Sequence, residues 1–127
     1  MSTIGRGLVA LVGISEGDSS DDAVSMAGRA AELRIFPDDE GRMGRSVLDI
    51  EGAVMVASQF TLCADVSKGR RPSFTAAAAP EMAEPLVEAF ARELERRGID
   101  VGRGVFGAHM VLELVNDGPV TIVMDSK

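Results

Sequence analysis

Two apolar runs joined by Asn116-Asp117-Gly118-Pro119-Val120-Thr121 constrain this chain more than any other stretch. Before the joint, Ala108, Met110, Leu112 and Leu114 alternate with Gly107, His109, Val111 and Glu113, which is the period of two expected of a β-strand. Beyond it, Val120, Ile122 and Met124 resume the pattern. Asp117-Gly118 supplies the tolerance of positive φ that a hairpin needs. A proline directly after the glycine, however, removes a backbone donor and fixes φ where a paired strand would begin. Two readings stay open: a turn that ends one strand and starts an edge strand, or a rigid Gly-Pro element that presents carbonyl oxygens to something outside its own sheet.

The remaining segments read as a mixed α/β chain. Residues 7–14, Gly-Leu-Val-Ala-Leu-Val-Gly-Ile, have the length and valine content of a buried strand. Ser19, Ser20 and Asp21 offer N-cap oxygens, and Ala23, Met26, Ala27, Ala30 and Leu33 follow at helical steps, so a helix should lay one face on a sheet. Pro37-Asp38-Asp39-Glu40-Gly41 is a turn cluster, Ser46 to Asp49 a brief strand, and Val54 opens another strand. On that strand Gln59, Thr61 and Cys63 should share one face and Ser58, Phe60 and Leu62 the other. Asp65 to Pro80 reads as a long loop, of a length often tied to function. A second helix should span about residues 81–97, with Met82, Leu86, Phe90 and Leu94 on one face and Gly98 as its stop. Pro85 inside that span predicts a late start or a distorted first turn. Strands and helices in this order predict a sheet system with both helices on one side.

At 127 residues the chain suits one domain with an aliphatic core, since it has five Phe and neither Trp nor Tyr. Cys63 is the one cysteine, which excludes an internal disulfide and a cysteine-rich metal site and suits a reducing cytoplasm. No apolar run is long enough to span a bilayer, and the start lacks the pattern of an export signal, so a cytoplasmic location away from membranes is expected. A formal charge of −7 argues against broad binding along a nucleic-acid backbone but leaves room for gripping a short end. Lys68, Arg70 and Arg71 lie within four positions, with Arg42 and Arg45 as a smaller group, and such charged loops are commonly just solvated. His109 is the only histidine, so no metal site can be assembled and no cofactor is expected. A Cys63–His109 pair has the residue types for nucleophilic catalysis but no spacing that orients it. Ser58 and Thr61 lack a detectable base.

Polar residues interrupt the apolar run at Ser58, Gln59 and Thr61, where a buried strand should remain apolar. Ser58-Gln59-Phe60-Thr61-Leu62, Arg71-Pro72-Ser73-Phe74 and Asn116-Asp117-Gly118-Pro119-Val120-Thr121 together resemble, in order and approximate spacing, the D-aminoacyl-tRNA deacylase family. The resemblance runs from about Gly5 to Met124 and implies a three-layer β/β/α fold that forms homodimers. It implies hydrolysis of the ester bond between a D-amino acid and the 3′-terminal adenosine of a tRNA, and of glycine mischarged on tRNA-Ala. On this resemblance Gln59, Phe60 and Thr61 are the catalytic segment, with Thr61 a catalytic or orienting hydroxyl and the substrate's own 2′-hydroxyl assisting. Ser58, Leu62, Arg71, Pro72, Ser73 and Phe74 bind substrate, and Lys68 and Arg70 would meet tRNA phosphates. Gly118 and Pro119 match a chirality filter, a cis Gly-Pro pair inserted into the partner subunit's pocket to exclude an L side chain. Family members usually begin with about twenty further residues including two strands, whose loss would leave a sheet edge open. Gly44 stands where many members carry Asn. The rivals are a related type with a trans Gly-Pro peptide that accepts L-alanine on the wrong tRNA, a truncated noncatalytic RNA-end or protein-binding module, and a generic Ser or Thr hydrolase.

Overall fold

The computed structural model describes residues 1–126. Strand β1 (Gly7–Val12) leads to helix α1 (Ser20–Glu32), a short hairpin of β2 (Phe36–Pro37) and β3 (Met43–Arg45), strand β4 (Ala53–Ser58), helix α2 (Pro80–Arg96) and strand β5 (Val101–Arg103). Strands β1, β4 and β5 form a parallel sheet with β4 in the centre, in register from Gly7 opposite Ala53 to Val12 opposite Ser58. The hairpin is a separate antiparallel pair. The fold is therefore mixed α and β, with two helices and both parallel and antiparallel sheets.

Sequence explains why these elements form where they do. Ser19 caps α1 by accepting from the Asp22 N–H, while the Asp22 carboxylate accepts from the Ser19 N–H at 2.9 Å. This reciprocal pair satisfies donors that the first helical turn leaves open. Small residues on α1 (Ala23, Ala27, Ala30, Ala31) let it approach α2 and the sheet, where Phe90, Ala91 and Leu94 meet Val54 and Val56 in one buried cluster. Central strand β4 is buried along Val54–Ala57, as a parallel strand covered on both faces should be. Helix α2 ends at Arg96, and Gly98 just beyond it takes φ of +88°, which costs a residue without Cβ nothing.

Several expectations need correction. Residues 46–49 are not strand, and 47–51 form turns: Ser46 and Asp49 cap each other, the Ser46 N–H donating to Asp49 at 2.8 Å and the Asp49 N–H to Ser46 Oγ at 3.1 Å. Such local side-chain bonds compete with a ladder. Helix α2 runs straight through Pro85 from Pro80, and its first turn is tightened by an i to i−3 bond from the Met82 N–H to the Ala79 carbonyl beside the helical one from Ala83. Strand β1 is half-buried rather than buried, because among the described residues it is an edge strand bonded to β4 alone. The alternating runs at 108–124 form no strand. Their period of two survives as exposure, Val111 at 81% against Leu112 at 38%, but a ladder needs a neighbouring backbone and none borders this arm among the described residues. Met124 rests against the main core and Arg29 donates to the Asp125 carbonyl at 3.0 Å, so the arm is tied down at its end. No helix among the described residues is long and apolar enough to cross a membrane.

Candidate active site

Strand β4 ends at Ser58, and the chain then turns through a short 3-10 helix, Phe60–Cys63. Gln59, Thr61 and Cys63 thus share no strand face, contrary to the alternation expected from sequence. The ladder is continued once, by the Gln59 N–H donating to the Val12 carbonyl at 2.8 Å, and the turn closes with the Leu62 N–H on the Gln59 carbonyl at 3.2 Å. Because the turn starts directly after a strand, the amide N–H groups of Phe60 and Thr61 find no acceptor among the described residues. The Gln59 side-chain amide donates to Thr61 Oγ1 and holds that hydroxyl at an exposed position.

The turn is braced from below by the end of β1. A Cβ added to Gly13 would lie 3.0 Å from Leu62 Cβ and 3.1 Å from the Gln59 carbonyl oxygen. Cys63 is half-buried, its thiol 3.6 Å from Ser15 Oγ and donating to the Ile14 carbonyl at 3.5 Å. These contacts engage Cys63 with residues 14 and 15, and no hydrogen bond joins it to the exposed His109 among the described residues. Among the described residues no group of three or more His, Cys, Asp or Glu could hold a metal ion.

After the turn the chain makes a loop pinched at its neck by paired bonds between Asp65 and Ser73, at 2.7 and 2.9 Å. Lys68, Arg70 and Arg71 hang from this loop, exposed and in no salt bridge among the described residues. Asp65 on the same loop accepts from the Ser67 hydroxyl and N–H, which hold its carboxyl below the usual range. Pro72 and Ser73 are exposed, Ser73 Oγ lies 3.5 Å from Thr75 Oγ1, and the Phe74 ring meets Phe60 edge-on with centroids 5.1 Å apart. Two of the three motifs are thereby brought together.

The third is not. Gly118 and Pro119 sit at an exposed tip, their peptide bond cis, and no hydrogen bond joins residues 116–121 to residues 58–62 among the described residues. The tip is shaped locally: Asn116 Oδ1 accepts from the Val120 N–H at 3.0 Å and Asn116 Nδ2 donates to Thr121 Oγ1 at 3.1 Å.

Ser58 also opens into a cavity of about 610 Å³ between α2 and the segment after β5, with Val56, Glu88, Arg103, Phe106 and Met110 among its walls. Gln59 to Leu62 do not line it. Sequence reasoning missed these wall residues. Arg103 reaches Glu95 at 2.7 Å and Glu88 at 3.1 Å, which lowers the Glu95 pKa and raises its own. A spacing of seven between Glu88 and Glu95 marks one helix face, but nothing in the sequence points to Arg103 as their partner. At the hairpin, Gly44 is crowded by Asp38, whose carboxylate oxygen would lie 2.4 Å from an added Cβ. Asp38 thus occupies the space that an Asn side chain would need.

Family comparison agrees with the three motifs. The family described as D-Tyr-tRNA(Tyr) deacylase matches residues 1–125. The chain belongs to that family. Proteins named D-aminoacyl-tRNA deacylase are similar throughout: one from Roseiflexus castenholzii is 60% identical over 126 residues, covering 99% of this chain and 80% of the relative. One from Heliobacterium modesticaldum is 53% identical over 127 residues, covering 100% of this chain and 85% of the relative. Among solved structures, a c-Myc DNA unwinding element binding protein shares this deacylase-family fold with a TM-score of 0.86 and 38% identity, over 94% of this chain and 81% of that one. A probable eukaryotic D-amino acid tRNA deacylase matches with a TM-score of 0.66 over 84% of this chain and 77% of that one, and at 18% identity it speaks for the fold alone.

Proposed function

We propose that this protein hydrolyses the ester of D-aminoacyl-tRNA at the turn that follows β4, using backbone groups and no metal. The observation that carries the reading is the pair of unpartnered amide N–H groups at Phe60 and Thr61 on an exposed turn, in a chain of the deacylase family. Donors of that kind can hold the oxygen that becomes negative as the ester carbonyl is attacked. Water adds to the carbonyl carbon, the bond to the ribose 3′-oxygen breaks, and the proton from water ends on that oxygen. Free amino acid and tRNA are released. Thr61, held by Gln59, orients the attacking water or the ester, and the substrate's 2′-hydroxyl assists. Since an aminoacyl ester is already reactive, positioning supplies most of the rate. The charge pattern supports the substrate: the loop of Lys68, Arg70 and Arg71 is an exposed cationic island in a chain of net charge −7.

Ser58 to Leu62 and Arg71 to Phe74 form the substrate cleft in this reading, and glycine mischarged on tRNA-Ala is a further substrate. Gly118 and Pro119 reject L-amino acids from the cleft of a second copy in a cytoplasmic homodimer. The exposed tip, bonded to nothing in its own cleft, supports an action outside its own subunit. Hydrolysis of matched D- and L-aminoacyl-tRNAs tests the proposal, with the light-scattering mass measured in parallel. A strong preference for the D form by a dimer is expected. Equal rates for both forms, or none from folded protein, would overturn it.

A further inference from the structure

The arm from His109 to Val115 is apolar on both of its sides and covered on neither. Val111 is 81% exposed, Val115 91% and Leu114 54%, and Met110 and Leu112 are exposed as well. These five residues leave on the order of 500 Å² uncovered, toward the upper end of what a monomer shows in one patch and more than half of the roughly 800 Å² that each partner of a stable interface buries. Among the described residues no ladder runs along either backbone edge of the arm. An apolar segment of alternating pattern with both edges open is a template for another strand. The arm holds no Lys or Arg, so it offers nothing to a phosphate or an anionic lipid headgroup.

The segment is complementary to itself in one register. Laid antiparallel on a second copy about a twofold axis at Val111, it sets Val111 against Val111, Met110 against Leu112, and His109 against Glu113 on each side of the axis. Apolar residues then meet apolar ones, and each carboxylate meets an imidazole that can donate to it. Centring on Glu113 would oppose two carboxylates, and centring on Leu112 would set Glu113 against Val111 and His109 against Val115. Resting on the dimer of the deacylase reading, we propose that residues 109–113 of two copies form an antiparallel ribbon centred on Val111 and clasped at both ends by His109 and Glu113. A turn bounds the ribbon before His109, where Gly107 takes φ of +79° and the Ala108 N–H donates to the Val105 carbonyl at 3.2 Å. The Gly118–Pro119 tip of each copy continues past that turn on the other copy, where Val105 and Phe106 wall the cavity into which Ser58 opens. The ribbon thereby aims each tip at its neighbour's cavity.

Cysteine crosslinking reads the register directly. Facing residues of an antiparallel pair have Cα atoms about 4.5–5.5 Å apart, within reach of a disulfide, whereas diagonal neighbours at about 7–8 Å are not. Mild oxidation of Val111→Cys should therefore give a covalent dimer on a non-reducing gel, while Leu112→Cys, whose two copies lie diagonally, should give none above the background that Cys63 sets in wild type. His109→Glu should raise the dimer dissociation constant about tenfold by analytical ultracentrifugation, and adding Glu113→Lys to it should restore the wild-type value. These side chains are exposed in the single copy, so the substitutions leave the core intact. No crosslink at 111, an equal crosslink at 112, or a dissociation constant that His109→Glu leaves unchanged would overturn the ribbon. D-aminoacyl-tRNA hydrolysis is measured separately on the wild-type protein: a dimer that crosslinks at 111 yet hydrolyses nothing sinks the deacylase reading alone, and an active dimer that does not crosslink there sinks the ribbon alone.

Discussion

Replacing Gly13 by alanine probes how tightly β1 supports the candidate active turn. Gly13 has no positive φ, so a methyl group there introduces no backbone strain and acts through contact alone. Its Cβ would meet Leu62 Cβ at 3.0 Å and the Gln59 carbonyl oxygen at 3.1 Å, with Cys63 Sγ at 3.5 Å. Comfortable carbon contacts lie at about 3.5–4.0 Å, so the turn must retreat by roughly 0.5 Å or more. One of the opposing atoms is backbone, and no rotamer change relieves it. Overpacking of this size costs about 1–3 kcal/mol, which lowers Tm by roughly 4–12 °C for a domain of this length. Catalysis should suffer separately. A displacement of about 1 Å at reacting groups costs around a hundredfold, so half of that distance predicts about a tenfold loss of kcat/KM. Thermal melting by circular dichroism gives the first quantity, and D-aminoacyl-tRNA hydrolysis well below both melting temperatures gives the second. A variant that melts early yet retains wild-type kcat/KM would refute the claim that this turn positions the ester.

Two further predictions concern the scaffold. Leu94 is fully buried between the helices and the sheet, so Leu94→Ala should cost about 2–5 kcal/mol in denaturant unfolding, and a loss below 1 kcal/mol would contradict its place in the core. Glu93 is buried on α2 and accepts from Arg96 and Arg97, which lower its pKa from 4.5 to about 2. A carboxyl with a depressed folded pKa stabilises above its unfolded value and loses that contribution as pH falls through the folded one. Wild-type stability should therefore drop between about pH 5 and pH 2. Glu93→Gln should be less stable at pH 7 and fall less steeply over that window, as measured by urea midpoints across pH.

Helix α1 was legible because its determinants are local: Ser19, Asp22 and the alanine spacing lie within one stretch of chain. The same holds for α2, whose apolar spacing and Gly98 stop lie within one stretch, although Pro85 did not delay its start. The polar interruption at Ser58–Thr61 correctly singled out a special segment, but period-two reasoning extended the strand through it. What ends the strand is the approach of Gly13 and the thiol contacts of Cys63 with residues 14 and 15, partners about fifty positions away. The alternation at 108–114 is present as exposure without a ladder, since a strand is a property of two segments and pattern reports on one. Arg103 went unnoticed for a similar reason. Its carboxylate partners lie on a helix, and only the packing of β5 against α2 brings them together.

The Asn116 bracket has a consequence for association. Its side chain bonds both Val120 and Thr121, so the Gly118–Pro119 projection keeps its shape without help from a sheet. In the proposed dimer, the surface that receives it would meet a loop already ordered, and little chain freedom would be lost on contact. In that reading, specificity resides in a rigid probe whose shape is set by Asn116.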